Sequence, residues 1–159
     1  MNLFVEGIHV VKAITPSADV YNGNPTSDVI NMQNFKKAVF VLHQKSSTSN
    51  TGTASVKPQA VENVSGSSAE DLPFKYSKMT TGASDVMGAI TAVAAGSTFT
   101  TTANEDTAFV IEVDASDLPE GKPFLQLKLT EVVNDPVVGS CMCYLIGSRH
   151  GYPFETALA

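Results

Sequence analysis

The sequence has little of what marks several large classes of protein. It contains no tryptophan, only 16% charged residues and only two cysteines among 159 residues. An uninterrupted run of about eighteen apolar residues is also missing, so the sequence predicts no transmembrane helix and no membrane partner. The apolar stretch at residues 1–14 is interrupted by charged side chains and lacks a small-residue cleavage site, which argues against a signal peptide.

Positive charge is scarce as well. The formal net charge is −6 and the isoelectric point lies near 4.9. A protein that binds a phosphate backbone needs a basic surface, and Lys36 and Lys37 form the only adjacent basic pair in the chain. The composition therefore opposes a nucleic-acid partner.

Residue patterns that support catalysis or metal binding are missing too. His9, His43 and His150 are not spaced with other ligands, and neither a Gly-x-Ser-x-Gly elbow nor a phosphate-binding glycine loop occurs. The acidic groups at residues 70–71, at 105–106 and at 114 with 117 lie beside turn-forming residues, which predicts solvated loop acids. We therefore expect no catalytic residue, no metal site and no cofactor, and we do not expect an enzyme.

The two cysteines are Cys141 and Cys143, two residues apart in an apolar stretch at 137–146. In a strand both thiols would project from one face, too far apart for an unstrained disulfide. The prediction is a pair of buried free thiols, which suits synthesis and assembly in a reducing cytosol.

What the chain does contain is apolar residues at every second position, most clearly at 109–113 and 124–129. This period is typical of strands with one buried face. Together with the length, it predicts a single all-β domain over residues 1–159, built as an antiparallel β-sandwich or a jelly-roll-like barrel with long polar loops. Strands are predicted at 4–14, 28–32, 38–43, 54–61, 74–79, 98–102, 107–113, 123–133 and 138–147.

Several of these segments carry a finer prediction. The continuous apolar run at 38–43 indicates a central strand covered on both faces, and Pro58 indicates an edge strand or a bulge. Residues 46–53 are expected to form an exposed hairpin loop, and the two last strands are expected to form a hairpin around 134–136. Residues 84–95 favour irregular or strand-like structure over a helix, because they contain glycine. A loop with one short helical turn is expected at 114–121.

The two ends of the chain are candidates for contact with another protein. Residues 1–14 can form an N-terminal arm and residues 149–159 an irregular tail, although either end can instead complete the domain's own sheet. Candidate contact residues are Leu3, Phe4 and Val5 as an apolar arm and Tyr152 and Phe154 as aromatic anchors.

Five segments together resemble small β-rich virion proteins that tailed bacteriophages encode near their major capsid protein. The segments are SDVINM at 27–32, FKKAVFVL at 35–42, FKY at 74–76, VIEVDA at 110–115 and LKLTEVVN at 127–134. The resemblance implies a head decoration, or cement, protein that is assembled in the host cytoplasm. Such a protein binds the major capsid protein on the outside of the virion as a homo-oligomer, a dimer or a trimer, and reinforces the joints between capsomers.

Two other classes stay open at this point. One is another virion component, such as a tail-tube or head-tail joining protein, which would also be β-rich and oligomeric. The other is a carbohydrate-binding β-sandwich module, against which the absence of tryptophan counts.

Overall fold

The computed structural model describes residues 3–45, 49–79 and 85–158. It confirms the all-β prediction, since these residues form two antiparallel sheets that pack against each other as a sandwich. One short helix and one 3-10 turn accompany the strands. The elements are α1 (Phe4–Gly7), β1 (Ile8–Ser17), β2 (Ile30–Asn31), β3 (Lys37–Lys45), β4 (Thr53–Val61), β5 (Glu70–Asp71), β6 (Phe74–Lys78), β7 (Thr91–Val93), β8 (Phe99–Thr100), β9 (Asp106–Asp114), the 3-10 turn (Ala115–Asp117), β10 (Phe124–Val133) and β11 (Val138–Ile146).

The larger sheet has six strands in the order β1-β11-β3-β9-β6-β7. The smaller sheet has the order β2-β10-β4-β5, and β8 pairs with β4 beside β5. β3 is paired with β11 and with β9 along its whole length, so it forms the centre of the larger sheet.

β3 is a central strand, as predicted. The prediction that both of its faces are covered is wrong. Ala38, Phe40 and Leu42 are fully buried against the smaller sheet, whereas Val39 and Val41 alternate with them and stay half-buried on the opposite side. A continuous apolar run therefore does not require two covered faces in this chain. The apolar residues of the second face lie on the outside of the sandwich.

The predicted hairpin between the two last strands is wrong. β10 pairs with β2 and β4 in the smaller sheet, and β11 pairs with β1 and β3 in the larger one. Leu127 of β10 and Cys143 of β11 are both fully buried in the common core. The two strands therefore lie in opposite layers across the core, and the short connection between them passes from one sheet to the other.

The predicted hairpin loop at 46–53 is wrong for the same reason, because β3 and β4 belong to different sheets. Residues 46–48 of that loop lie outside the described residues.

Pro58 does not place β4 at an edge of the smaller sheet. β4 runs between β10 on one side and the short strands β8 and β5 on the other. β8 pairs at Ser55 and Val56, and β5 pairs at Gln59 and Ala60, so Pro58 falls in the gap between them. A residue without an N–H group is accommodated there because no neighbouring strand needs its hydrogen bond.

A buried polar network crosses the core. The Tyr21 hydroxyl donates to Oε1 of Gln44 over 2.6 Å, and Nε2 of Gln44 donates to the carbonyl oxygen of Thr102 over 2.6 Å. Burial raises the pKa of Tyr21 to about 12. Because Gln44 is fully buried, these bonds satisfy an amide that would otherwise be costly to bury.

The remaining element predictions are largely confirmed. The short helical turn lies at Ala115–Asp117, and the described residues 85–95 contain a strand and no helix, although Ser84 itself lies outside the described residues. The first predicted strand begins later than expected, at Ile8, after α1.

Both cysteines are buried free thiols, as predicted. Within the described part of the chain, no helix is long and apolar enough to span a membrane.

Candidate interaction surfaces

The exposed apolar residues of the two chain ends lie at the same end of the larger sheet. Ile8 at the start of β1 pairs with Ile146 at the end of β11, so the residues before β1 and after β11 both continue past this point. Leu3, Phe4 and Val5 are 66%, 58% and 48% exposed, and Tyr152 is 58% exposed. We refer to Leu3, Phe4, Val5 and Tyr152 as the terminal patch.

Phe154, the fifth predicted contact residue, occupies a different position. Its ring lies half-buried, 5.4 Å from the His9 ring, 6.1 Å from that of Phe35 and 5.9 Å from that of Tyr152. Burial in this group lowers the pKa of His9. Phe154 therefore attaches the tail to its own chain and positions Tyr152.

The rest of the tail is also held by its own chain. Asn31 N donates to the carbonyl oxygen of Ala157 over 2.8 Å, and Arg149 N donates to that of Asn34 over 2.9 Å. Ala157 is buried in the core. The tail packs along β2 and extends that edge through a bridge between Ile30 and Leu158. At the other terminus, residues 8–14 of the predicted arm complete the larger sheet, and residues 3–7 form the projecting segment.

A second apolar surface covers the outside of the larger sheet, and we call it the outer face. It comprises every second residue of β3 from Lys37 to Lys45 and the residues in register with these on β1, β11, β9 and β6. Its middle is apolar over four adjacent strands. This apolar centre consists of Val10, Val39, Val41, Val110, Met142 and Tyr144.

The sequence interpretation missed this surface. Its signal was present, because the run at 38–42 and the stretch around Met142 and Tyr144 are apolar at both odd and even positions. The continuous run at 38–43 instead predicts a strand that is covered on both faces. In the structure, Val39, Val41, Met142 and Tyr144 are half-buried, and the Phe4 ring lies at the margin, 6.2 Å from that of Tyr144.

The sequence predicted solvated loop acids, and Asp117 is exposed in this way, but several of the other acidic groups are paired. Asp71 accepts hydrogen bonds from Lys57 Nζ over 2.6 Å and from Gln59 Nε2 over 2.7 Å. Burial alone would raise the pKa of Asp71, but these bonds outweigh it and hold that pKa below its usual value. Glu105 forms an ion pair with Lys78.

Asp114 lies 3.7 Å from Lys37, which also pairs with Glu112 over 2.8 Å. These carboxylates therefore brace neighbouring strands. Within the described residues, no group of three or more His, Cys, Asp or Glu side chains is placed to hold a metal ion.

The described surface also has several open hollows. One of about 330 Å³ lies beside the 3-10 turn and is lined by Met32, Leu118, Lys122 and Arg149 among others. Lys122 is already paired with Glu70 over 2.8 Å. The two apolar surfaces therefore offer more for recognition than these hollows do.

Comparison of the chain with protein-family models, with curated proteins and with solved structures finds no significant match. The fold and the surface together define an antiparallel β-sandwich with apolar residues exposed at its terminal end and on one sheet face. What the molecule does is therefore argued from these surfaces.

Proposed function

We propose that this chain is a structural virion protein that binds the outer surface of a phage capsid and stabilises the contacts between capsomers. The observation that carries the proposal is the terminal patch. Four exposed apolar or aromatic side chains, from both ends of the chain, lie near the end of the larger sheet where Ile8 pairs with Ile146. Aromatic and large aliphatic side chains are the residues that anchor protein interfaces.

The charge of the molecule supports an outside position. A net charge of −6 suits a surface that faces solvent better than one that faces packaged DNA. The resemblance of the strand segments to small virion proteins points the same way. A protein that binds only the assembled shell would stabilise that shell by mass action, because binding shifts the equilibrium towards the intact form.

The test is co-sedimentation of the purified chain with phage heads that lack it. We expect binding and an increase in the temperature at which the heads disrupt. Leu3→Glu and Tyr152→Glu should weaken binding by about tenfold or more each, because each places a charge in an apolar contact. Val64→Glu is the matched control, since Val64 is 55% exposed but lies in the loop after β4.

Two results would contradict the proposal. One is a folded wild-type chain that stays in the supernatant at every concentration tested. The other is assembly of the isolated chain into rings or tubes in electron micrographs, which would assign it to the tail-tube or head-tail joining class. Binding to a glycan array would instead favour a carbohydrate-binding module.

A further inference from the structure

The outer face of the larger sheet has a composition that is unusual for a solvated sheet surface. In a sandwich, the residues that face outwards are normally polar, in alternation with the apolar residues that face the core. Here the row Val10–Tyr144–Val39 and the neighbouring row Met142–Val41–Val110 are both apolar. Contiguous apolar surfaces of this kind on soluble proteins mark sites of association.

The charges around the apolar centre are nearly balanced. The outer face carries four lysines, at positions 12, 37, 45 and 75, and three carboxylates, at 106, 112 and 114. Several of these charges are paired within the face. Lys37 pairs with Glu112 over 2.8 Å, and Lys75 stands opposite Glu112 in the register of β6 and β9.

This balance indicates what kind of surface fits the outer face. The chain as a whole carries a charge of −6, so two copies repel each other across most of their surface. The outer face, with four positive and three negative groups, is a region where two copies can approach without that repulsion. Because its positive and negative charges nearly cancel, it suits an apolar and nearly neutral partner surface better than a strongly charged one.

The size of the face is sufficient for a stable dimer. β3, β9 and β11 contribute nine residues each to the face, β1 contributes five before its register shifts, and β6 contributes four. At a strand spacing of about 4.8 Å and a rise of about 3.4 Å per residue, the face covers about 600 Å². Two copies would then bury about 1,200 Å² in total, at the lower end of the range of about 1,200–2,000 Å² for specific interfaces.

We infer that the outer face is a homodimer interface, in which the apolar centres of two copies pack face to face about a two-fold axis. A two-fold interface uses the same surface on both subunits, so a face that is self-compatible in charge and shape meets its requirement. Of the terminal patch, Phe4 lies at the margin of this interface, because its ring is 6.2 Å from that of Tyr144, whereas Leu3, Val5 and Tyr152 stay available for another partner. The inference goes beyond capsid binding and is tested without capsids.

The first experiment is sedimentation velocity on the full chain. At about 10 µM, wild type should sediment as a dimer, since a standard-size interface is populated at such concentrations. Val41→Lys and Met142→Lys each place two ammonium groups in the dimer, and we expect either change to raise the dissociation constant by about 100-fold or more. Val132→Lys is the matched control, because Val132 is 57% exposed on a strand of the smaller sheet. Circular dichroism and thermal unfolding establish that each variant is folded.

A second experiment covers the case in which a lysine variant fails to fold. Val39→Cys, Val41→Cys and Met142→Cys each place a thiol near the proposed axis, where it can meet its symmetry mate. At least one of these variants should form a covalent dimer on mild oxidation much faster than Val132→Cys. The native thiols do not interfere, because Cys141 and Cys143 are buried.

The inference is overturned if wild type sediments as a monomer over the whole concentration range. It is equally overturned if folded lysine variants remain dimeric, or if no single-cysteine variant of the outer face links faster than the control. A dimer that fails to bind phage heads would contradict the proposed function and leave this inference intact.

Discussion

At the scale of single residues, Gly52 leaves the least room for a side chain among the described glycines, because the connection from β3 to β4 meets the connection from β10 to β11 there. A Cβ atom on Gly52 would lie 2.0 Å from the backbone oxygen of Asp135 and 2.6 Å from Cγ2 of Val137. Thr51 N donates to the Asp135 carboxylate over 2.7 Å, so the two connections are also hydrogen-bonded. A methyl group added at Gly52 would therefore displace the backbone of both connections.

Gly52→Ala should lower the free energy of unfolding by about 2–3 kcal/mol, because the clash is with backbone atoms that cannot rotate away. Gly7→Ala is the control. A Cβ there meets nothing within 4 Å, and we expect a change within about 0.5 kcal/mol. Denaturant unfolding followed by circular dichroism measures both values. Equal stability of the two variants would show that the connections do not pack as described.

The two thiols give a second prediction at this scale. Burial raises the pKa of Cys141 to about 12 and raises the pKa of Cys143 well above its usual value. Because the thiolate is the reactive form, both residues should resist a disulfide reagent at neutral pH until the chain unfolds. Val132→Cys should add one promptly reacting thiol. Prompt reaction of the native wild-type protein would contradict the buried position of both sulfur atoms.

At the scale of strands, the sequence was informative about which segments extend and less so about which strands pair. The alternation in β9 and β10 identified both strands because one face of each is buried. The same alternation carries no information on whether consecutive strands lie side by side or across the core. β10 and β11 follow each other closely, and this favoured a hairpin, but both bury large side chains in one core and therefore lie in different sheets.

The candidate surfaces could likewise be predicted from the sequence only in part. Leu3, Val5 and Tyr152 were accessible to sequence reasoning because apolar residues near a chain end have few neighbours to cover them. The outer face was not, because Val39 and Val41 look identical to core residues in the sequence. Only the register of β11, β3 and β9 shows that their apolar side chains form one continuous surface.

The pairing of β5 with β4 gives a prediction on pH. Since the hydrogen bonds from Lys57 and Gln59 hold the pKa of Asp71 below the usual value for aspartate, the ionised form stabilises the fold above that usual pKa. This stability is lost as the pH falls through the lower pKa of the folded state. Asp71→Asn should cost about 1 kcal/mol at neutral pH and flatten the loss of stability below about pH 4.

Urea unfolding between pH 2.5 and 7 measures this effect. Asp117→Asn, at an exposed aspartate of the 3-10 turn, is the control and should keep the wild-type pH dependence. If Asp71→Asn also keeps the full acid sensitivity of the wild type, the hydrogen bonds to Asp71 do not contribute in solution.

At the scale of the whole molecule, stability is distributed unevenly between the centre of the larger sheet and its edges. β3 has a partner strand on both sides for nine residues, and Phe40 and Leu42 are fully buried. β7 spans three residues at one edge, and two of its residues, Thr91 and Ala92, are exposed. The centre should open only when the whole sandwich unfolds, while the edge can open locally.

Native-state hydrogen exchange tests this distribution. We expect the amides of β3 to exchange at the rate set by global unfolding, and the amides of β7 to exchange faster by about 100-fold or more. The paired amides of β9 serve as an internal control, since β9 is also flanked on both sides and should match β3. Adding a low concentration of denaturant should accelerate β3 and β9 together, because their exchange requires exposure of the common core, and should change β7 little. If β7 instead exchanged as slowly as β3, the sandwich would open only as a single unit and the edge would be as strongly held as the centre.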